Sequence, residues 1–322
     1  MSIITIHPKD KQEWLEARLQ DITSTEVSAL FGISPYLTEF ELWYQKKEKN
    51  IVELDGNERM KWGNLLESAI ANGIAKEQGW KIRPMKEYIR EDSLRCGSSF
   101  DFCIEGPATN SQADIFIKKA GLDSSKAWAK GILEIKNVDS LVFKNTWEDG
   151  EPPLHIQLQV QHQLLVSGFS YAYVGALIGG NNLHLIKQER NEKVIEGIKK
   201  RVAKFWESID NNIPPEPNFS TDSEFIASLY GYAEPGKFKD LTEDEEAIKL
   251  IQEYKEVTDQ AKIADKKKKE LKAKLLTIID DAEKAIGNGF SISAGLIAPT
   301  WVEAYERKGF RNFRVNFSKG KK

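Results

Sequence analysis

The order in which the spacing of apolar residues changes along the chain is the strongest constraint on its fold. Over residues 62–76 apolar residues recur at helical intervals, whereas residues 80–104 carry them in short runs bounded by proline and glycine, as strands do. The later patterns indicate a strand over 131–136, a helix over 154–167, a hairpin of 171–178 with 183–188, and a helix over 191–211. This order predicts an α/β fold in which helices flank a central mixed β-sheet.

The composition shifts after a proline cluster at residues 214–217. We therefore expect a first domain over residues 1–220, a linker over 221–240 and a C-terminal module over 241–322. Within that module, residues 242–285 predict an amphipathic helix or a helical hairpin, about 65 Å long if continuous. The last 35 residues are expected to be β-rich. Their basic and aromatic segment from Arg307 suits either contact with single-stranded nucleic acid or an ordinary half-buried strand.

Charge and apolar content exclude several classes of protein. The 46 basic residues are offset by 49 acidic ones, so the bulk basic signature of a coat-like nucleic-acid binder is missing, although a locally basic channel remains possible. No apolar run approaches the roughly 20 residues that span a bilayer, and the N-terminus lacks the pattern of a secretory signal. Cys96 and Cys103 are expected to be free thiols. These features predict a cytoplasmic protein.

Glu134 and Lys136 are the first candidate site residues. Residues two apart on a strand point to the same face, so this carboxylate and this ammonium project together. The carboxylate could bind a hard cation such as Mg²⁺ while the lysine positions or activates an attacking water. An ordinary Glu–Lys pair on a solvated strand gives the same tripeptide, so this spacing alone leaves both interpretations open.

Two further acids precede that strand. Asp101 stands among apolar residues, where a carboxylate is costly unless it is paired or metal-bound, although a turn aspartate at a strand end also fits. Glu67 lies on the helix predicted over residues 62–76, one turn from Gly63, whose missing side chain could leave space above the carboxylate. A solvated helical glutamate is the alternative for this position.

Together, a helical Glu, a strand Asp and a Glu-x-Lys strand resemble the PD-(D/E)XK nuclease superfamily. More narrowly, the chain resembles the phage lambda exonuclease and YqaJ-type viral recombinase family over about residues 12–218. The supporting motifs, in the order of the family, are Trp14-x-x-x-Arg18-x-x-x-Ile22-Thr23-Ser24-Thr25-Glu26, Phe31-Gly32-Ile33-Ser34-Pro35-Tyr36, Trp62-Gly63-x-x-x-Glu67, the Ser98-Ser99-Phe100-Asp101 segment, Leu133-Glu134-Ile135-Lys136 and Gln157-Leu158-Gln159-Val160-Gln161.

The resemblance implies a catalytic set. Asp101 and Glu134 would be metal ligands, and Glu67 would complete the site for Mg²⁺, with Mn²⁺ as a substitute. Lys136 would serve the hydrolytic water, and Gln159 would orient substrate or water.

The resemblance also implies that Arg18, Thr23 and Thr25 form a pocket for a DNA 5′-phosphate. That chemistry is coherent, because arginine offers phosphate a bidentate fork and threonine hydroxyls add donors.

Two departures from the family pattern matter. Phe100 stands where the family usually has proline. The 33-residue separation of Asp101 from Glu134 also leaves Asp114 as a competing ligand, although we prefer Asp101 because it follows two serines at the end of a predicted strand. His155 and His162 are seven residues apart and could share a helix face, but without a third ligand they make a weak zinc site.

The resemblance implies a Mg²⁺-dependent DNA exonuclease that degrades duplex DNA from 5′-phosphorylated ends, in the 5′ to 3′ direction. The remaining 3′ single strands would serve phage-type homologous recombination through a single-strand-annealing recombinase. The resemblance also implies a homo-oligomer, a ring-shaped trimer, in the cytoplasm of a bacterium or of a phage-infected host. The alternatives are a structure-specific or nicking DNA endonuclease of the same superfamily, and a non-catalytic DNA-binding recombination mediator.

Overall fold

The computed structural model describes residues 2–49, 57–107, 130–302, 311–313 and 315. The chain divides into two compact units, Met1–Phe225 and Ile226–Lys322. The helices of the first unit are α1 (Lys11–Leu19), α2 (Glu39–Glu48), α3 (Glu58–Gln78), α4 (Ser140–Thr146), α5 (Leu154–Ser167) and α6 (Glu192–Asp210). The first unit ends within the next helix, α7 (Ser223–Leu229). Its strands are β1 (Ile3–Ile6), β2 (Ile22–Thr23), β3 (Trp80–Pro84), β4 (Tyr88–Glu91), β5 (Cys96–Ser98), β6 (Phe102–Pro107), β7 (Gly131–Val138), β8 (Tyr171–Ile178) and β9 (Asn182–Glu189).

The main sheet has five strands in the order β3-β6-β7-β8-β9. The β7 and β8 strands are parallel, whereas every other neighbouring pair is antiparallel, so the sheet is mixed. A parallel pair needs a long crossover, and α4 and α5 supply it between these two strands. The predicted α/β fold with a central mixed sheet flanked by helices is therefore confirmed.

The two faces of β7 are buried against different helices. Ile132 belongs to the larger apolar core, together with Val160 and Leu164 of α5. Leu133 and Ile135 point the other way and pack in a second core with residues of α3. Glu134 and Lys136 share the phase of Ile132, so the strand directs both side chains toward the α5 side of the sheet.

The strands predicted over residues 80–104 separate into two sheets. β3 and β6 are part of the main sheet, whereas β4 and β5 belong to a separate four-stranded sheet of order β1-β4-β5-β2. Gly97 in β5 permits this packing, because a Cβ there would lie 2.0 Å from the Tyr88 hydroxyl. The spacing of apolar residues did not reveal this separation, since both sheets have the same period.

Capping residues set the helix ends in the first unit. α3 begins at Glu58, four residues before the predicted start, because the Asn57 side chain accepts a hydrogen bond from the Met60 N–H. Gly79 ends it in the left-handed conformation with φ of +64°. Residues Val27–Phe31 form a short 3₁₀ helix that ends at Gly32.

The second unit contains one long helix, α8 (Glu245–Ile279), and a hairpin of β10 (Lys284–Gly287) with β11 (Phe290–Ser293). The helix spans about 52 Å at 1.5 Å per residue. It is continuous, so the alternative of a helical hairpin over residues 242–285 is wrong, and the last residues of that range form β10 instead. Most of the basic segment from Arg307 lies outside the described residues. Within the described ranges, none of the helices combines the length and apolar character needed to cross a bilayer.

Candidate active site

Glu134 is the centre of a polar cluster on the inner side of β7. Only 3% of its surface is exposed. The Lys136 ammonium donates to Glu134 Oε1 at 2.7 Å, across the spacing of two residues that the strand provides. A buried carboxylate needs such partners, because desolvation penalises its charge. The structure therefore brings the predicted pair together as an ion pair.

Two glutamines of α5 bind the same carboxylate. Gln159 Nε2 donates to Glu134 Oε1 at 2.6 Å, and Gln163 Nε2 donates to Glu134 Oε2 at 2.8 Å. Lys136 Nζ also donates to Gln159 Oε1 at 3.3 Å. One helical turn separates the two glutamines, so both reach the strand from one face of α5. The carboxylate is held at both oxygens.

Asp101 lies in the bend before β6, beside the middle of β7. Its Oδ2 accepts a hydrogen bond from the Ile135 N–H at 2.7 Å, and its backbone carbonyl accepts one from Met85 at 3.0 Å. Burial, and then the negative charge of Glu134, raise the pKa of Asp101 well above its usual range. This aspartate is thus fixed in place and electrostatically coupled to Glu134. Its rival, Asp114, lies outside the described residues.

Glu67 approaches the cluster from α3. Burial, and then the charge of Glu134, raise its pKa, while Lys136 opposes that shift. A Cβ added at Gly63, one turn earlier, would meet no atom within 4 Å, so the helix has open space on that side. Glu67 is therefore near enough to interact electrostatically with the predicted site.

Lys136 is kept in its charged form. Burial alone would lower its pKa, but the charges of Glu134 and then Asp101 outweigh burial and raise it. A permanently protonated ammonium can hold an anionic oxygen or donate a proton. It is a poor general base while these acids remain charged.

The three acids supply oxygen donors of the kind that Mg²⁺ prefers. After burial, the charge of Glu134 is the next cause of the raised pKa values of Glu67 and Asp101, and a divalent cation would offset that repulsion. Nevertheless, no three His, Cys, Asp or Glu side chains in the described ranges converge closely enough to form a ready-made cage. The oxygen donors fit a metal ion, although in this structure the Lys136 ammonium is bound to the Glu134 oxygen that a cation would also contact.

The residues of the predicted phosphate pocket, Arg18, Thr23 and Thr25, lie close together in a second cluster. Arg18 Nη2 lies 3.3 Å from Thr25 Oγ1 and 3.5 Å from Thr23 Oγ1, and the two hydroxyls are 3.2 Å apart. The guanidinium also stacks over the Trp14 ring, 4.6 Å from its centroid. These long hydrogen bonds leave donors of Arg18 available for a ligand.

A buried ion pair supports that pocket from below. Lys46 Nζ lies 2.8 Å from Glu26 Oε2 and donates to the Arg18 carbonyl at 2.9 Å. Glu26 in turn accepts a hydrogen bond from the Thr23 N–H at 2.9 Å. Burial opposes the charge of Glu26, but Lys46 and Arg18 outweigh it and lower the pKa of that carboxyl. The pair therefore connects α2 to the backbone of Arg18 through Lys46 and to the backbone of Thr23 through Glu26.

The two histidines of α5 do not share a site. His162 is fully buried, and burial lowers its pKa to about 4. His155 is partly exposed and packs edge-on against Tyr36, with 6.1 Å between ring centroids. Burial, and then the charge of Lys136, lower the pKa of His155, which places it at the rim of the cluster. The weak zinc interpretation has no support from this geometry.

Gln163 and Ser99 belong to the site, although sequence reasoning assigned them no role. Gln163 stands four residues after Gln159, and that helical interval was the available signal. Ser99 accepts a hydrogen bond from Trp14 Nε1 at 2.8 Å. That contact joins residues 85 positions apart, so no local pattern could have revealed it.

Three solved or curated proteins show the range of similarity. The chain is 29% identical over 283 residues to the uncharacterized protein YqaJ of Bacillus subtilis (strain 168), covering 86% of this chain and 81% of that protein. A crystal structure of an alkaline exonuclease from Laribacter hongkongensis aligns with a TM-score of 0.49 and 17% identity, over 68% of this chain and 100% of the other. A phage-related exonuclease from Haemophilus somnus 129PT aligns with a TM-score of 0.38 and 15% identity, over 65% of this chain and 90% of the other.

The family model named YqaJ-like viral recombinase domain matches residues 13–170. This range contains Arg18 and the two threonines of the pocket, together with the acidic cluster, Lys136 and all of α5. The match confirms the resemblance that the motifs indicated. Over residues 13–170 this chain is therefore similar to the YqaJ-like viral recombinase domain.

Proposed function

We propose that the protein is a Mg²⁺-dependent DNA exonuclease that degrades duplex DNA from 5′-phosphorylated ends and leaves 3′ single strands for recombination. The observation that carries the proposal is the cluster around Glu134. One buried carboxylate is bound by Lys136 and two glutamines, within the electrostatic reach of Asp101 and Glu67. The similarity of residues 13–170 to a viral recombinase domain supports a role in phage-type recombination.

Asp101, Glu134 and Glu67 would hold the cation. When bound, Mg²⁺ would offset the charge that develops on the phosphate and lower the pKa of an attacking water. The Ile135 N–H fixes Asp101, and Gln163 fixes the second oxygen of Glu134. Both ligands would therefore be oriented before the cation arrives, which reduces the reorganisation that catalysis requires.

Lys136 and Gln159 would act on the reacting phosphate. With Glu134 among the residues that would hold the cation, the Lys136 ammonium would stabilise a phosphate oxygen or orient the water. Gln159 contacts both Glu134 and Lys136, so its amide is placed to orient the same water or a phosphate oxygen. The cluster supplies charge stabilisation and positioning, as phosphodiester hydrolysis requires.

The pocket of Arg18, Thr23 and Thr25 favours exonuclease over endonuclease. A terminal phosphate offers more charge and one more free oxygen than an internal diester, and Arg18 offers a fork of donors beside two hydroxyls. An endonuclease has no use for a pocket that binds a terminal group. The cluster of acids likewise has no purpose in a non-catalytic recombination mediator.

A direct test compares linear and closed circular duplex DNA, each incubated with Mg²⁺ or with EDTA. We expect Mg²⁺-dependent degradation of linear DNA alone, with Mn²⁺ substituting. Cleavage of circles would favour the endonuclease alternative, and the absence of cleavage in any metal would refute the enzymatic assignment. The 3′ strands that remain would be the substrate of a single-strand-annealing recombinase. Sedimentation of the native protein would test the trimer that the family resemblance implies.

A further inference from the structure

Gln163 of α5 contacts both Glu134 and the backbone of Ser99. It is 1% exposed, and its Nε2 lies 2.8 Å from Glu134 Oε2 and 3.3 Å from the Ser99 carbonyl. Both neighbours accept hydrogen bonds only, so the amide must turn its NH₂ group toward them. Gln159 binds the other oxygen of Glu134, so two amides together prevent rotation of this carboxylate.

The remaining atom of that amide argues for a functional role. Gln163 Oε1 is buried and has no hydrogen-bond partner among the described residues. A buried acceptor without a partner lowers stability, so a residue chosen for stability alone would not be glutamine here. The hydrogen bond that orients Glu134 therefore explains the glutamine at this position better than stability does, because its Oε1 has no donor in the described part of the chain.

Ser99 connects Gln163 to the phosphate pocket. Its hydroxyl accepts a hydrogen bond from Trp14 Nε1 at 2.8 Å, and the Trp14 ring lies under the Arg18 guanidinium. The adjacent Ser98 hydroxyl is hydrogen bonded to Ser24 at 2.8 Å, between the two threonines of the pocket. The turn before Asp101 therefore contacts the pocket on one side and Gln163 on the other.

We propose that Gln163 is a positioning residue that fixes Glu134 and links it, through Ser99 and Trp14, to the Arg18 pocket. This inference rests on the proposed function. A phosphate bound by Arg18 restrains Trp14, which restrains the Ser99 turn and thereby the carboxylate that would hold the cation. End recognition and hydrolysis are then coupled by one chain of hydrogen bonds.

The first test compares Gln163→Leu with Gln161→Leu. Gln161 is a matched control, because it is also buried on α5 but its side chain is hydrogen bonded to the backbone of Glu189 and Asn191 instead of the site. We expect Gln163→Leu to lower kcat about ten- to hundredfold, as loss of a group that orients a metal ligand does. Its Mg²⁺ midpoint, measured as the metal-induced rise in Tm without DNA, should increase, whereas Gln161→Leu should leave kcat and that midpoint unchanged.

The second test uses Trp14→Phe, which keeps a ring under Arg18 but removes the Nε1 donor. We expect kcat to fall about two- to tenfold, the range for one neutral hydrogen bond, with unchanged affinity for 5′-phosphorylated duplex in EDTA. In the double variant with Gln163→Leu, the Trp14 change should add nothing, because both interrupt one connection.

Three results would overturn the inference. In the first, Gln163→Leu keeps a kcat and a Mg²⁺ midpoint within twofold of wild type. In the second, Gln161→Leu loses as much kcat as Gln163→Leu. In the third, the losses of kcat from Trp14→Phe and Gln163→Leu add in the double variant. Each of these leaves the proposed function standing, because wild-type cleavage is intact. Failure of the wild type to cleave DNA would refute both.

Discussion

Removal of the Lys46 ammonium should reveal how strongly the phosphate pocket depends on the buried ion pair beneath it. The side chains of Lys46 and Glu26 are only 2% and 16% exposed, and their charged atoms are 2.8 Å apart. In Lys46→Met the methionine side chain fills most of the space of the lysine methylene groups, but Glu26 keeps a buried charge without its main partner. The Arg18 carbonyl also loses its donor.

The magnitude follows from that burial. Breaking one side of a buried ion pair costs about 3–5 kcal/mol, because the remaining charge is uncompensated. For a unit of this size each kcal/mol lowers Tm by about 2–4 °C, so we expect a fall of roughly 6–20 °C. The double variant Lys46→Met, Glu26→Gln removes both charges and should recover more than half of that loss.

The pH dependence has a definite sign. In the wild type the folded pKa of Glu26 is lowered, so the stability it contributes is present above the ordinary glutamate pKa and is lost as pH falls through the folded value. In Lys46→Met, burial without Lys46 should raise that pKa instead. The deficit of the variant should therefore be largest near neutrality and narrow in acid, below about pH 4.3.

Thermal unfolding followed by circular dichroism at several pH values measures these differences. Lys47→Met is the matched control, because the adjacent Lys47 is exposed and donates to the Ile209 carbonyl at 3.2 Å. We expect it to cost less than about 1 kcal/mol. A Lys46→Met deficit as small as that of the control, or one independent of pH, would refute the claim that this pair supports the pocket.

Further predictions concern the two sites and the sheet that joins them. Lys136→Ala should lower kcat by about 10²- to 10⁴-fold and leave DNA binding in EDTA unchanged; lost binding would contradict its role in turnover. Arg18→Lys keeps a charge but loses the fork, so cleavage of 5′-phosphorylated ends should fall about tenfold while 5′-hydroxyl ends are unaffected; equal losses on both would argue against the pocket. Burial and the charge of Glu134 raise the pKa of Asp101, so a proton on this carboxyl competes with the cation. The Mg²⁺ concentration at the midpoint should therefore rise as pH falls through the raised pKa of Asp101; a midpoint independent of pH would contradict this competition. Gly97→Ala should lower Tm measurably, because its Cβ would overlap the Tyr88 hydroxyl; an unchanged Tm would show that the sheet adjusts.

Local periodicity predicted the parts of this fold that depend on neighbouring residues. Glu134 and Lys136 share a face because a strand has a period of two, and this required no tertiary information. The hairpin of β8 and β9 followed from the glycines between two apolar runs. Asp101 was placed beside Glu134 by the family motif, and the hydrogen bond to Ile135 explains how the two acids are held together.

Contacts between distant elements could not be predicted in the same way. Gln163 reaches Glu134 only because α5 packs on β7 at one particular register, which apolar spacing leaves undetermined. The bond between Trp14 and Ser99, and the pair of Lys46 with Glu26, likewise join separate segments. The division of the strands into two sheets depends on how Gly97 packs, which is a tertiary property.

The central claim is that the Glu134 cluster hydrolyses DNA from a 5′ end with Mg²⁺. The most direct measurement follows a linear duplex labelled at the 5′ end of one strand and the 3′ end of the other, with wild type and Glu134→Gln. We predict that the wild type releases the 5′ label first in Mg²⁺ and not in EDTA, that the 3′ label stays on a strand shortened from its own 5′ end, and that Glu134→Gln releases neither label. Early release of the 3′ label, or full activity of Glu134→Gln, would contradict the account.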